Sequence, residues 1–157
     1  MALWQVDFEL VPRSVIAPSA DPGTAALQDA NSWAAVAFPS DYRTRLASVA
    51  APATASNKEF ETWGPEEGNR VEVWSTGGRV TRAMVRVDLR RLDSRFGAAL
   101  LAFVRGASAV LVRRDGRIVE PNINEYAAAL RSSDAWRFAS DPAAFLASQS
   151  TSDDDDG

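Results

Sequence analysis

Arg70-Val71-Glu72-Val73-Trp74-Ser75-Thr76-Gly77-Gly78-Arg79-Val80-Thr81-Arg82-Ala83-Met84-Val85-Arg86-Val87-Asp88-Leu89-Arg90 is two alternating runs around a glycine pair. Alternation with period two marks a strand whose faces differ, and paired glycines between such runs mark a β-hairpin. Ala83, Val85, Val87 and Leu89 share one face; Arg82, Arg86 and Arg90 share the other. Register decides whether the two apolar rows coincide. A two-residue Gly77-Gly78 loop would set Val73 against Arg82 and turn the valines onto the arginine face. One further residue pairs Val73 with Ala83 and Val71 with Val85, so the sequence predicts a three-residue Gly77-Gly78-Arg79 loop with a bulge. That register also places Trp74 opposite Arg82, a cation–π pair worth about 0.5–1 kcal/mol at an exposed site. It sets Arg70 against Arg86, which calls for a carboxylate between them.

Outward from the hairpin, the first strand announces itself by the same alternation: Trp4, Val6, Phe8 and Leu10 face one way, Gln5, Asp7 and Glu9 the other, until Pro12. It reads as a half-buried strand with Trp4 in the core. Residues 13–39 form an irregular excursion with a short helix near Ala25–Ala30, and Ser40 opens another through Val49. Glu59 to Trp63 reads as a strand. Asp93 or Ser94 caps a helix carrying Phe96, Leu100, Leu101 and Val104, with Gly106 set for a left-handed end. Asp115-Gly116 between Ala109–Val112 and Ile118-Val119 is a second hairpin. Asn122, Ser133 and Asp141 each start a C-terminal helix, Asp141-Pro142 by the pattern of a cap followed by proline in the first turn.

Two hairpins among unevenly spaced helices predict an α+β fold: a mixed or largely antiparallel sheet of about five to six strands, helices packed on one face. With 157 residues and 46% hydrophobic content, one domain over residues 1–150 can bury a sufficient core without disulfide or metal. The acidic tail 151–157 is expected to be disordered.

Neither cysteine nor histidine occurs. Thiolate chemistry, histidine bases, Ser-His triads and the usual zinc sites are excluded, and no cofactor or metal is expected. Acidic residues near the start, where a secretion signal would be basic, and the lack of a long apolar run point to a cytoplasmic, membrane-free protein.

Charge is unevenly spread, since 11 of the 16 arginines lie between Arg70 and Arg117 while both flanks are acidic. In one reading the arginine face is neutralised internally, with Glu59, Glu61 and Glu72 as its acidic partners and the pairs worth little. In the other, Trp74, Arg82, Arg86 and Arg90 stay open and receive an anionic partner through the guanidinium fork. A net charge of −4 argues against nucleic acid. The function expected is therefore binding of another protein, inhibitor- or adaptor-like, without catalysis. The alternative is an enzyme or a protein for a small anionic ligand, built on a carboxylate and arginine pocket.

Overall fold

The computed structural model describes residues 2–29, 31–53 and 57–150; the tail expected to be disordered lies outside them. Six strands form one antiparallel sheet: β1 (Gln5–Pro12), β2 (Phe60–Trp63), β3 (Arg70–Thr76), β4 (Arg79–Asp88), β5 (Ala109–Arg113) and β6 (Ile118–Val119), in the order β2-β3-β4-β1-β5-β6. The first strand is thus central, flanked by β4 and β5. The fold is α+β, as its two hairpins predicted. Among the described residues six helices accompany the sheet: α1 (Pro22–Gln28), α2 (Tyr42–Ala47), α3 (Ser94–Gly106), α4 (Ile123–Arg131), α5 (Asp134–Ser140) and α6 (Pro142–Ser150).

The predicted hairpin register holds, with Val71 opposite Val85, Val73 opposite Ala83, Trp74 opposite Arg82 and Arg70 opposite Arg86. The extra residue sits elsewhere than expected. Gly77 and Gly78, at φ +59° and +77°, make a two-residue turn, and the register shifts lower down, between Trp74 and Ser75, leaving Thr81 unpaired. A bulge there corrects the register as a longer loop would. It also frees the Thr81 carbonyl, which accepts from the Trp33 backbone N–H at 3.1 Å.

Trp33 explains the long excursion after β1. Its side chain is fully buried and its indole N–H donates to the Leu10 carbonyl at 3.0 Å. The ring therefore wedges between β1 and β4 where their pairing ends, and stacks edge-on against Phe38. Ahead of it, α1 lies on the opposite sheet face. Ala26 and Leu27 cover Val11, Val110, Val112 and Ile118, so the far half of β1 is buried on both faces rather than one. Asp21 caps α1 through the Thr24 N–H, and a Cβ on Gly23 would overlap the Gly116 carbonyl of the β5–β6 turn. Helix and turn therefore touch backbone to backbone.

The main core lies on the other face, where Val6, Phe8, Leu10, Val71, Val73, Val85 and Val87 meet α2 through α5. Helix α3 buries Phe96, Leu100, Leu101, Phe103 and Val104 there, each contributing roughly 1.5–3 kcal/mol by leaving water. Asp93 caps it, accepting from Arg95 and Phe96 N–H. The left-handed residue after it is Ser108, at φ +52°, instead of Gly106. Trp4 also departs from expectation: it precedes β1 in a turn and is only half-buried. Among the described residues no helix is long and apolar enough to cross a membrane.

Candidate functional site

The second face of the sheet carries the arginines. Across β2, β3 and β4 its side chains are mostly half-buried: Phe60, Arg70, Glu72, Trp74, Arg82, Met84 and Arg86. Antiparallel pairing places Asp7 opposite Arg86 and Glu9 opposite Met84, so the acidic side of β1 lies next to the arginine row.

Arg82 donates through Nε to Glu9 Oε1 at 3.0 Å, and Arg86 through Nε to Asp7 Oδ1 at 3.4 Å. Arg90 holds Asp88 with Nε and Nη2, at 3.1 and 2.9 Å. The carboxylates that reach the row are thus Glu9, Asp7 and Asp88. Of the three glutamates expected as partners, Glu72 lies 3.3 Å from Arg70. Glu61 accepts from Tyr42 Oη at 2.6 Å and from Arg43 at 2.8 and 2.9 Å. Glu59 lies beside Trp74 on the wall of a cleft of about 400 Å³. The facing Arg70 and Arg86 are separated by leaning apart, each toward its own carboxylate.

Arg90 is not a rung of the ladder. It sits in a short 3-10 turn after β4, where its guanidinium lies 4.0 Å from the Trp4 ring centre. Trp74 is where the sequence places it: the Arg82 guanidinium is 5.3 Å from its ring centre and Phe60 packs 5.1 Å away. Trp74 and Arg82 therefore form one unit, with Arg86 four residues along the strand and Arg90 in the turn just beyond its end.

The three pairs share an asymmetry. The side chains of Glu9, Asp7 and Asp88 are 4%, 11% and 0% exposed, those of Arg82, Arg86 and Arg90 are 36%, 30% and 45%. Each carboxylate lies beneath its guanidinium. Arg82 and Arg86 use only Nε, so their Nη groups make no hydrogen bond among the described residues. Each pair is thus buried at its carboxylate and partly exposed at its arginine.

Burial and pairing compete in setting the protonation of these carboxyls. Burial pushes the Glu9 carboxyl up, against the Arg82 charge and hydrogen bond, with Asp29 adding to the rise. At Asp88 burial acts in the same upward sense, but the hydrogen bonds and charge of Arg90 outweigh it and hold the carboxyl below its ordinary value. The Arg43 hydrogen bond lowers Glu61, and burial together with Glu61 raises Tyr42 to about 12.

Beneath α1, a cleft of about 290 Å³ brings Asp7, Glu9, Arg82 and Arg114 together with Leu27 and Met84. Two carboxylates and two arginines share this concavity. No cluster of three or more acidic side chains that could hold a metal ion occurs among them. Asp7 and Glu9 were legible only as the polar side of their strand, because their meeting with the row depends on the first strand pairing with the fourth; Asp88 reaches Arg90 through the turn that follows β4. Compared with family models, curated proteins and solved structures, the chain shows no significant match.

Proposed function

We propose that this protein is a non-catalytic, cytoplasmic protein-binding module, inhibitor- or adaptor-like, that receives an acidic protein surface on the Trp74, Arg82, Arg86 and Arg90 face. The observation that carries the reading is the asymmetry of the ion pairs. A partner's carboxylates can accept from the outward Nη groups while the buried carboxylates keep the arginines in place. Trp74 supplies the aromatic anchor that interfaces concentrate near their centres.

Lysine is the informative replacement at Arg82 and Arg86, because glutamate there would set a like charge over Glu9 or Asp7. Arg82→Lys with Arg86→Lys retains the cations but removes the planar fork. The protein that co-purifies with the full chain from its native host is expected to dissociate as salt rises and to bind the double variant more weakly, with the thermal midpoint nearly unchanged. Undiminished binding by the double variant rejects the reading.

A second reading rests on the cleft beneath α1, where a carboxyl raised by burial stands beside two arginines: a small anionic ligand held by Arg82 and Arg114, or acid–base chemistry by Glu9. It requires a small molecule that protects the Glu9 and Leu27 amides from exchange. A protein partner that dissociates as salt rises, without such a small molecule, is the outcome that separates the first reading from this one.

A further inference from the structure

One transverse row of the arginine face carries charges that do not balance. Arg70 on β3 stands directly opposite Arg86 on β4, and Arg86 stands opposite Asp7 on β1. Arg114, just past β5, lies 4.0 Å from the second oxygen of Asp7. Like charges on directly opposed cross-strand residues repel, so a row that sets two arginines face to face calls for an anion at each.

The carboxylates at hand do not meet that need. Asp7 is shared, 3.4 Å from Arg86 Nε and 4.0 Å from Arg114 Nη1. Glu72 Oε1 comes within 3.3 Å of Arg70 Nε but does not accept a hydrogen bond from it, and that buried Nε has no acceptor among the described residues. The next acids along the strands are taken, Glu9 by Arg82 and Asp88 by Arg90. Three arginines therefore share two carboxylates. A charged donor buried without an acceptor is destabilising until an anion reaches its guanidinium.

The row is also held in place. Asn69, the residue before Arg70, accepts from the Asp88 N–H and donates to the Arg91 carbonyl. It ties the start of β3 to the end of β4 and fixes Arg70 against Arg86. The Arg70 side chain lies close against the sheet, 14% exposed, and that of Arg86 is 30% exposed. Because each leans toward its own carboxylate, the gap between them is bounded on both sides by a guanidinium. Helix α1 packs on Val11 and Val110 and their neighbours, away from this gap. An arrangement fixed before the ligand arrives loses little freedom on binding.

We propose that the Arg70–Arg86 pair seats a single carboxylate, the side chain of an aspartate or glutamate on the acidic partner surface, one oxygen accepting from each guanidinium. The fork of each arginine suits a carboxylate, and one negative charge balances the row, which favours a carboxylate over a phosphate dianion. The inference rests on the reading of this face as the receiver of an acidic protein surface, and it adds Arg70, which that reading does not use.

Titration of the isotope-labelled full chain with N-acetyl-aspartate N-methylamide tests it, with chloride holding the ionic strength constant and the arginine Nε–Hε resonances as the readout. Saturable shifts are expected at Arg70 and Arg86 but not at Arg79, which is exposed beside the β3–β4 turn. Arg70→Gln keeps Arg82, Arg86 and Arg90 and should bind the blocked aspartate about tenfold more weakly. Glu72→Gln removes a competing carboxylate and should bind it about threefold more tightly, a gain that a merely structural Arg70 would not give. This second variant leaves both arginines in place and decides the matter should Arg70→Gln not fold. Absence of saturable shifts up to about 0.1 M ligand, equal shifts at Arg79, unchanged affinity in Glu72→Gln, or tighter binding of inorganic phosphate overturns the proposal. A co-purified partner that releases the Arg82→Lys, Arg86→Lys variant but holds Arg70→Gln as tightly as the parent overturns this seat alone and leaves the wider reading standing.

Discussion

Arg82 covers Glu9: the Nε–Oε1 distance is 3.0 Å, and the carboxylate side chain is 4% exposed beneath a guanidinium that is 36% exposed. A cation held over a buried anion has two effects. It stabilises a charge that water cannot reach, and it remains available to a partner. Arg82→Ala removes the cover and leaves a buried acceptor unpaired, at a cost of about 1–3 kcal/mol. Arg82→Lys retains most of the stability. Urea unfolding of the two variants checks this, and equal destabilisation by both would show that Arg82 acts through its fork rather than its charge.

Glu9 gives the pair a pH dependence whose sign is set by burial. Its folded pKa is raised above the unfolded value, so the folded state favours the protonated acid. The resulting stabilisation is fully present below the unfolded pKa and is lost as pH rises through the folded one. Glu9→Gln does not titrate. Its stability relative to the parent should therefore increase as pH rises through that window and level off above it, in denaturant midpoints measured from pH 4 to 7. A difference independent of pH would mean that Glu9 is not strained by its burial.

Trp33 closes the sheet where β1 and β4 part. Trp33→Phe keeps the ring's bulk but leaves the Leu10 carbonyl without its donor, and should cost about 1–3 kcal/mol. Trp33→Ala opens a cavity in the core and should cost about 3–5 kcal/mol. Hydrogen exchange at the residues flanking Thr81 should accelerate in both, because the side chain that anchors the Trp33 backbone N–H against the Thr81 carbonyl is weakened or lost. Thermal unfolding orders the pair, and an alanine variant no worse than phenylalanine would remove the wedge from the account.

Gly116 combines a φ of +91° with a would-be Cβ only 2.5 Å from Thr24 Oγ1. Gly116→Ala strains the turn and pushes α1 from the sheet, so destabilisation above 1 kcal/mol is expected. Exchange protection should be lost first at α1 and the Val11, Val110 and Val112 cluster, while α3 stays protected. Uniform loss across both sheet faces would show that the α1 layer unfolds with the main core.

What the residues revealed in advance follows from the range of each signal. Alternation and the mismatch of apolar rows were enough for the hairpin register, because a one-residue slip would have turned Val71 and Val73 onto the arginine face. Caps such as Asp93, Asn122 and Ser133 are local hydrogen bonds and were readable for the same reason. The placement of the extra residue at Thr81 depends on Trp33, which is 48 residues away and carries no local periodicity. Pairing of the first strand with the fourth and fifth is likewise non-local. That pairing selected Glu9 and Asp7 as the carboxylates of Arg82 and Arg86 over glutamates closer in sequence, whereas Asp88 meets Arg90 two residues away. At the candidate site, Trp74 beside Arg82 was a cross-strand consequence of register, whereas the bend that puts Arg90 over Trp4 arises after the strand ends.

Arg90 is the last test of the row, because it joins a hydrogen-bonded fork to an aromatic contact. Its Nε and Nη2 hold both oxygens of Asp88, and its plane lies over Trp4. Asp88 is lowered in the folded state, so its ionised form contributes stability that is present above the unfolded pKa and lost as pH falls through the folded one. Arg90→Lys keeps the charge but not the bidentate geometry. The Asp88 carboxyl should then rise, and acid unfolding should begin at a higher pH than in the parent, while stability at neutral pH falls more modestly. Trp4→Leu removes the stacking without touching Asp88, so it should reduce stability at every pH without shifting the acid transition in the same way. Coincident acid transitions in the parent and Arg90→Lys would assign the low Asp88 pKa to the backbone N–H of Arg90 at 2.9 Å instead of to its side chain.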